Sequence, residues 1–137
     1  MKIHNYQLEP VASYLHSLNL ERKASRLRTR FKNIILERLQ TVLNEVNEIN
    51  KEYLILDEHG QPLMNEKGYL FKDDVKRLKD INELYYETFT IEQNENNRAM
   101  LESVKESVNN HSPLSFEGNE ADIYDMVCEL VEQIEYE

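Results

Sequence analysis

The sequence predicts a mainly α protein, with a long central helix in a helical bundle and a small β-hairpin or meander inserted at about residues 54–71. Two observations carry that expectation. From Leu20 to Tyr53 apolar residues recur at spacings of three and four with no Pro or Gly among them, the repeat of one helix face. The 137 residues include only 3 Gly and 3 Pro, and two of the glycines, Gly60 and Gly68, close polar separators between short apolar triplets. One domain spanning residues 1–137 is expected at this length.

In chain order, Leu8, Val11, Leu15 and Leu18 share a face and predict a short helix over about 6–18, with Asn5 as N-cap and Pro10 near its first turn. Ser17-Leu18-Asn19 reads as a turn. The seam that follows is Leu20, Ala24, Leu27, Phe31, Ile35, Leu39, Val42, Val46, Ile49 and Tyr53, a near-heptad with one extra residue near Ile35. A continuous helix over 20–53 would run about 50 Å, far beyond the roughly 14 Å radius of gyration of a globule this size. Its seam therefore needs a cover, from the returning helices of the same chain or from a second protomer.

The triplets Leu54-Ile55-Leu56, Pro62-Leu63-Met64 and Tyr69-Leu70-Phe71 form the expected insert. Asp73 and Asp74 then open a helix with Val75, Leu78, Ile81 or Asn82, Tyr85 and Phe89 facing inward. A short strand is expected at Thr88 to Glu92, paired with Leu114-Ser115-Phe116. Between them Asn94 or Asn96 caps a helix carrying Met100, Leu101, Val104 and Val108. Gly118-Asn119 starts the last helix, whose buried face is Ile123, Val127, Leu130 and Ile134.

Charge is distributed unevenly. The net value of −10 argues against a protein that grips nucleic acid or anionic lipid over its whole surface. Residues 1–38 nevertheless carry 8 Lys/Arg against Glu9, Glu21 and Glu37, for +5, whereas residues 83–137 carry 2 against 14, for −12. Arg22, Lys23, Arg26, Arg28, Arg30 and Lys32 surround the seam as a basic collar. Cations at a helix N-terminus oppose the macrodipole, so something negative should compensate. Three candidates are the acidic C-terminal third folding back, a nucleic acid, and the anionic surface of another protein. Arg22, Arg26 and Arg30 at i, i+4 spacing suit carboxylate or phosphate forks. Asp122, Asp125, Glu129 and Glu132, spaced 3, 4 and 3, form an acidic row that reads as a solvated face or as a nucleic-acid mimic.

Other chemistry is sparse. His4, His16, His59 and His111 are isolated, so no metal site is expected, and no cofactor is implied. The single Cys128 lies on a helix flank as a small packed hydrophobe. No nucleophile, base and oxyanion set can be assembled, which points away from an enzyme. A lone cysteine and a polar N-terminus suggest a reducing cytoplasm, and no apolar stretch approaches the roughly 20 residues that cross a bilayer.

The stretch Lys23-Ala24-Ser25-Arg26-Leu27-Arg28-Thr29-Arg30-Phe31, with the short helix before it, resembles a family of small uncharacterised proteins encoded by phages and prophages of Gram-positive bacteria. The resemblance continues through Asp57-Glu58-His59-Gly60 and Ala121-Asp122-Ile123-Tyr124-Asp125. It implies a bacterial cytoplasm and supplies no catalytic residues. The resulting expectation is a non-enzymatic phage protein that contacts a host or phage protein through the long helix and the collar, in virion assembly or an accessory role, with a homo-oligomer through that helix as one form. The alternative is a small acidic inhibitor of a host defence or nucleic-acid enzyme.

Overall fold

The computed structural model describes all 137 residues. It is mainly helical. The elements are β1 (Lys2–His4), a 3-10 turn (Asn5–Gln7), α1 (Leu8–Ser17), α2 (Arg22–Glu52), β2 (Met64–Asn65), β3 (Gly68–Tyr69), α3 (Asp74–Tyr86), β4 (Thr88–Thr90), α4 (Glu95–His111) and α5 (Asn119–Glu132).

The unbroken seam does form one helix. The 31 residues of α2 extend about 46 Å at ~1.5 Å per residue. Leu27, Phe31, Ile35 and Val42 are buried on it, with Leu39, Val46 and Ile49 partly so. The cover comes from the same chain, because α1, α3 and α4 all pack on α2. α1 and α4 also pack on α5, so they stand between the long helix and the last one. One core of 22 buried residues draws on β1 and all five helices.

The insert is a three-segment meander. β2 and β3 pair antiparallel, and bridges join Leu54 to Phe71 and Leu56 to Pro62. Ile55 N–H donates to Leu70 O, Leu63 N–H to Ile55 O, and Leu70 N–H to Leu63 O at 2.8–3.1 Å. Asp57 Oδ1 accepts from the N–H of His59 and Gln61, which holds the first turn, and Gly60 and Gly68 take φ of +78° and +119°. Tyr53, at the end of α2, donates a 2.6 Å hydrogen bond to Asp80 Oδ2 and so ties the base of the meander to α3. The Asp80 carboxylate pushes the Tyr53 hydroxyl pKa up to about 12.

Four expectations are corrected. The 114–116 segment forms no strand; β4 pairs antiparallel with β1, with Lys2 opposite Thr90, Ile3 opposite Phe89 and His4 opposite Thr88. This places Ile3 in the core. The helix expected over 6–18 divides into the 3-10 turn and α1. Asn5 is not the N-cap: His4 precedes the 3-10 turn and Gln7 precedes α1, while Asn5 is 1% exposed and donates through Nδ2 to Leu84 O.

The inward face of α3 is also rotated. Val75 is 82% and Leu78 49% exposed, while Leu84 is buried and Ile81 and Tyr85 are half-buried. Polar anchors decide the rotation. Arg77 lies 4.0 Å over the Phe71 ring and donates to Asn50 Oδ1 on α2, and Asp80 takes the Tyr53 hydroxyl. These contacts turn Arg77 and Asp80 toward α2 and the opposite apolar stripe outward.

Candidate interaction surface

The collar does not act as one unit. Arg22, Lys23, Arg26 and Arg30 are exposed. The ion pairs made by Lys and Arg within 4.0 Å are Lys51 with Glu48, Arg77 with Asp74, and Arg98 with Glu95 and Glu102, so these four collar cations have no carboxylate partner. They rim an open hollow of about 760 Å³ whose apolar lining is Leu20, Leu27 and Ala99, the last from α4. Arg22 sits at φ +24°, in the left-handed region that costs a non-glycine residue roughly 1–3 kcal/mol. No acidic residue occupies the first turn of α2, and Glu21 makes no side-chain cap.

Arg28 points elsewhere. Its Nη1 donates to the carbonyls of Leu15 and Leu18 at 2.7 and 2.8 Å, at the C-terminal end of α1. There it caps the Leu18 carbonyl, adds a second donor to the Leu15 carbonyl, which also accepts from Leu18 N–H, and sets a cation at the negative end of the dipole. Lys32 Nζ lies 2.8 Å from His16 Nδ1 in the last turn of the same helix. Two members of the collar therefore hold α1 against α2, and four face outward.

Asp122, Asp125, Glu129 and Glu132 are all exposed on α5, and none forms an ion pair. The acidic row and the collar do not meet, since α1 and α4 lie between their helices. A second acidic concentration follows from the packing of α2 beside α3, where Glu45, Glu48, Glu52, Asp80, Glu83 and Glu87 line one groove. No group of three His, Cys, Asp or Glu side chains is placed to hold a metal ion. Cys128 packs on the core beside Tyr124, and the neighbouring thiol raises the Tyr124 hydroxyl pKa.

Apolar surface outside the core falls on α3, the meander, α2 and the loop before α5. The outward stripe of α3 presents Val75, Leu78 and Tyr86, and Tyr86 lies 5.3 Å from the exposed Tyr6 ring, which stacks on His4. Leu56, Leu63, Met64 and Tyr69 are exposed on the meander. On α2, Leu36 and Leu43 are the large apolar side chains left outside, one heptad apart. The i, i+3 and i+7 spacing of Leu36, Leu39 and Leu43 was visible in the sequence, but only the packing of the other helices shows which members face solvent.

No helix is long and apolar enough to cross a membrane. No protein-family model, curated protein or solved structure matches the chain.

Proposed function

We propose that this is a non-enzymatic, phage-encoded protein that works in the bacterial cytoplasm by docking the collar of α2 onto an acidic surface of a host or phage protein. Virion assembly and accessory roles both fit such a contact. The observation that carries the reading is the set of four exposed cations, Arg22, Lys23, Arg26 and Arg30, around a hollow with an apolar floor and no carboxylate of the chain to neutralise them. Exposed cations beside apolar lining suit a protein partner, which can fill the hollow while its carboxylates meet the rim. The resemblance of residues 23–31 to phage proteins points to the same segment. Self-association through the long helix would have to use Leu36 and Leu43, since the seam itself is covered.

Affinity purification from infected cells, comparing the natural chain with an Arg26→Glu/Arg30→Glu variant, tests this reading. A defined partner is expected with the natural chain, weakened by added salt and lost with the variant at unchanged thermal stability. Retention of the same partner by the variant would overturn it.

The second reading, inhibition of a nucleic-acid enzyme by phosphate mimicry, is favoured by one observation. Asp122, Asp125, Glu129 and Glu132 share an exposed face and have no cation partner within the chain. Changing all four to the corresponding amides would then abolish partner binding without lowering stability, whereas the collar variant would bind normally.

A further inference from the structure

A groove of about 640 Å³ runs between α1 and the segment that leads into α5. One wall is the α1 row of Glu9, Ser13 and Ser17, and the other includes Phe116, Glu120 and Ile123. Tyr14 forms part of the base and is fixed there, because its hydroxyl donates a 2.6 Å hydrogen bond to Ser112 Oγ. Phe116 stacks on Tyr124 with ring centroids 4.6 Å apart, and Tyr14 lies 6.4 Å from Phe116. The groove thus joins an aromatic base with two exposed carboxylates, Glu9 and Glu120, on opposite walls. Neither carboxylate has an ion-pair partner, and no Lys or Arg lines the space.

We infer that this groove receives an arginine or lysine side chain from a partner polypeptide. Aromatic faces attract an alkylammonium or guanidinium group through the ring quadrupole, and the two carboxylates complete its neutralisation. An anionic ligand would meet two carboxylates and no cation there. A polypeptide is the source because Leu114, on the loop that leads into the groove wall, stands fully exposed at 106%. A chain that sets its cation in the groove brings neighbouring apolar atoms to that leucine. This site is independent of the collar, which lies on α2 and selects the opposite charge.

The test is a backbone amide NMR titration of the full chain with an acetylated, amidated arginine peptide. Its citrulline counterpart, neutral and nearly isosteric, and spermidine are run in parallel. Saturable shifts are expected within residues 9–17 and 113–123. The citrulline peptide should bind about tenfold more weakly, and a Glu9→Gln/Glu120→Gln variant should weaken the arginine peptide by about the same factor. Both glutamates are exposed, so the variant retains its fold. Equal binding of the two peptides, shifts elsewhere, or an unaffected variant would overturn the inference. Spermidine binding in the groove at least as tightly as the arginine peptide would overturn the polypeptide source.

Discussion

The side-chain amide of Asn5 donates a 2.8 Å hydrogen bond to the carbonyl of Leu84, joining the residue after β1 to the last turn of α3 across 79 positions. Its Oδ1 accepts from Arg38 Nε on α2 at 3.2 Å, and its own N–H donates to Glu87 O at 2.9 Å. One 1% exposed residue therefore connects the start of the chain, the long helix and the end of α3. Arg38 is held a second way, lying 5.6 Å over the Phe89 ring of β4.

Asn5→Leu would leave Arg38 Nε without its acceptor and the Leu84 carbonyl with only the Glu87 N–H at 3.2 Å, in a water-poor site. A loss of about 1–3 kcal/mol is expected. Urea unfolding should show it as a lower midpoint at an unchanged slope. A shift corresponding to less than about 0.5 kcal/mol would mean that the amide is not the connection described.

Arg28 and Arg26 are two residues apart in the collar and should respond oppositely. Removing the Arg28 guanidinium takes the side-chain donor from the Leu15 and Leu18 carbonyls and a polar tie between α1 and α2, so Arg28→Ala should cost about 1–3 kcal/mol. Arg26→Ala removes an exposed, unpaired cation and should stay within about 0.5 kcal/mol. Only the Arg26 variant should weaken a collar partner at unchanged thermal stability. Equal melting temperatures for the two variants would contradict this division of the collar.

The contrast shows what the sequence could convey. Leu27, Phe31, Ile35 and Val42 were legible because one helix repeats its inward face every three or four residues, and Gly60 and Gly68 because positive φ selects glycine. A cap at Asn94 or Asn96 was legible from residue type, and the structure uses Asn94, whose side chain accepts from Asn97 N–H at 2.9 Å. β4 was legible from the alternation at Thr88 to Glu92, but β1 and its pairing with β4 were not, because the partners stand more than 80 residues apart. Arg28 could not be separated from its neighbours until the end of α1 was placed beside it. The exposed charges of α5 were readable as a row, but whether they met the collar depended on two intervening helices.

Tyr53 and Asp80 give a pH-dependent contribution to stability. The folded hydroxyl has a pKa of about 12, raised first by its hydrogen bond to the carboxylate, against roughly 10 for a free tyrosine. The folded state therefore holds this proton more tightly than the unfolded chain does. The contribution is fully present below pH ~10 and is lost as pH rises toward 12. The stability difference between the natural chain and Tyr53→Phe should stay constant from neutral pH to about 10 and shrink above it. A site-specific carbon-13 label on Tyr53 gives the titration directly, and Asp80→Asn should lower its midpoint. A Tyr53 midpoint near 10 in the natural chain would refute the pairing.

The orientation of α3 makes the sharpest stability test, because two apolar stripes compete on one helix. If Val75 and Leu78 faced the core, as their spacing suggests, an acidic residue at either position would bury an unpaired charge and cost several kcal/mol. With Val75 82% and Leu78 49% exposed, Val75→Asp should stay within about 0.5 kcal/mol of the natural chain and Leu78→Asp close to it. Leu84→Ala on the inward side should instead cost about 2–5 kcal/mol, since it removes a buried side chain from the core while leaving the backbone carbonyl that accepts the Asn5 amide. The same variants separate stability from binding. Val75→Asp and Leu78→Asp place charge on the outward stripe that Tyr86 continues toward Tyr6, so a partner lost with them at unchanged melting temperature would map its contact to α3 rather than to the collar. Strong destabilisation by Val75→Asp would reverse the assignment and restore the face that the spacing alone suggests.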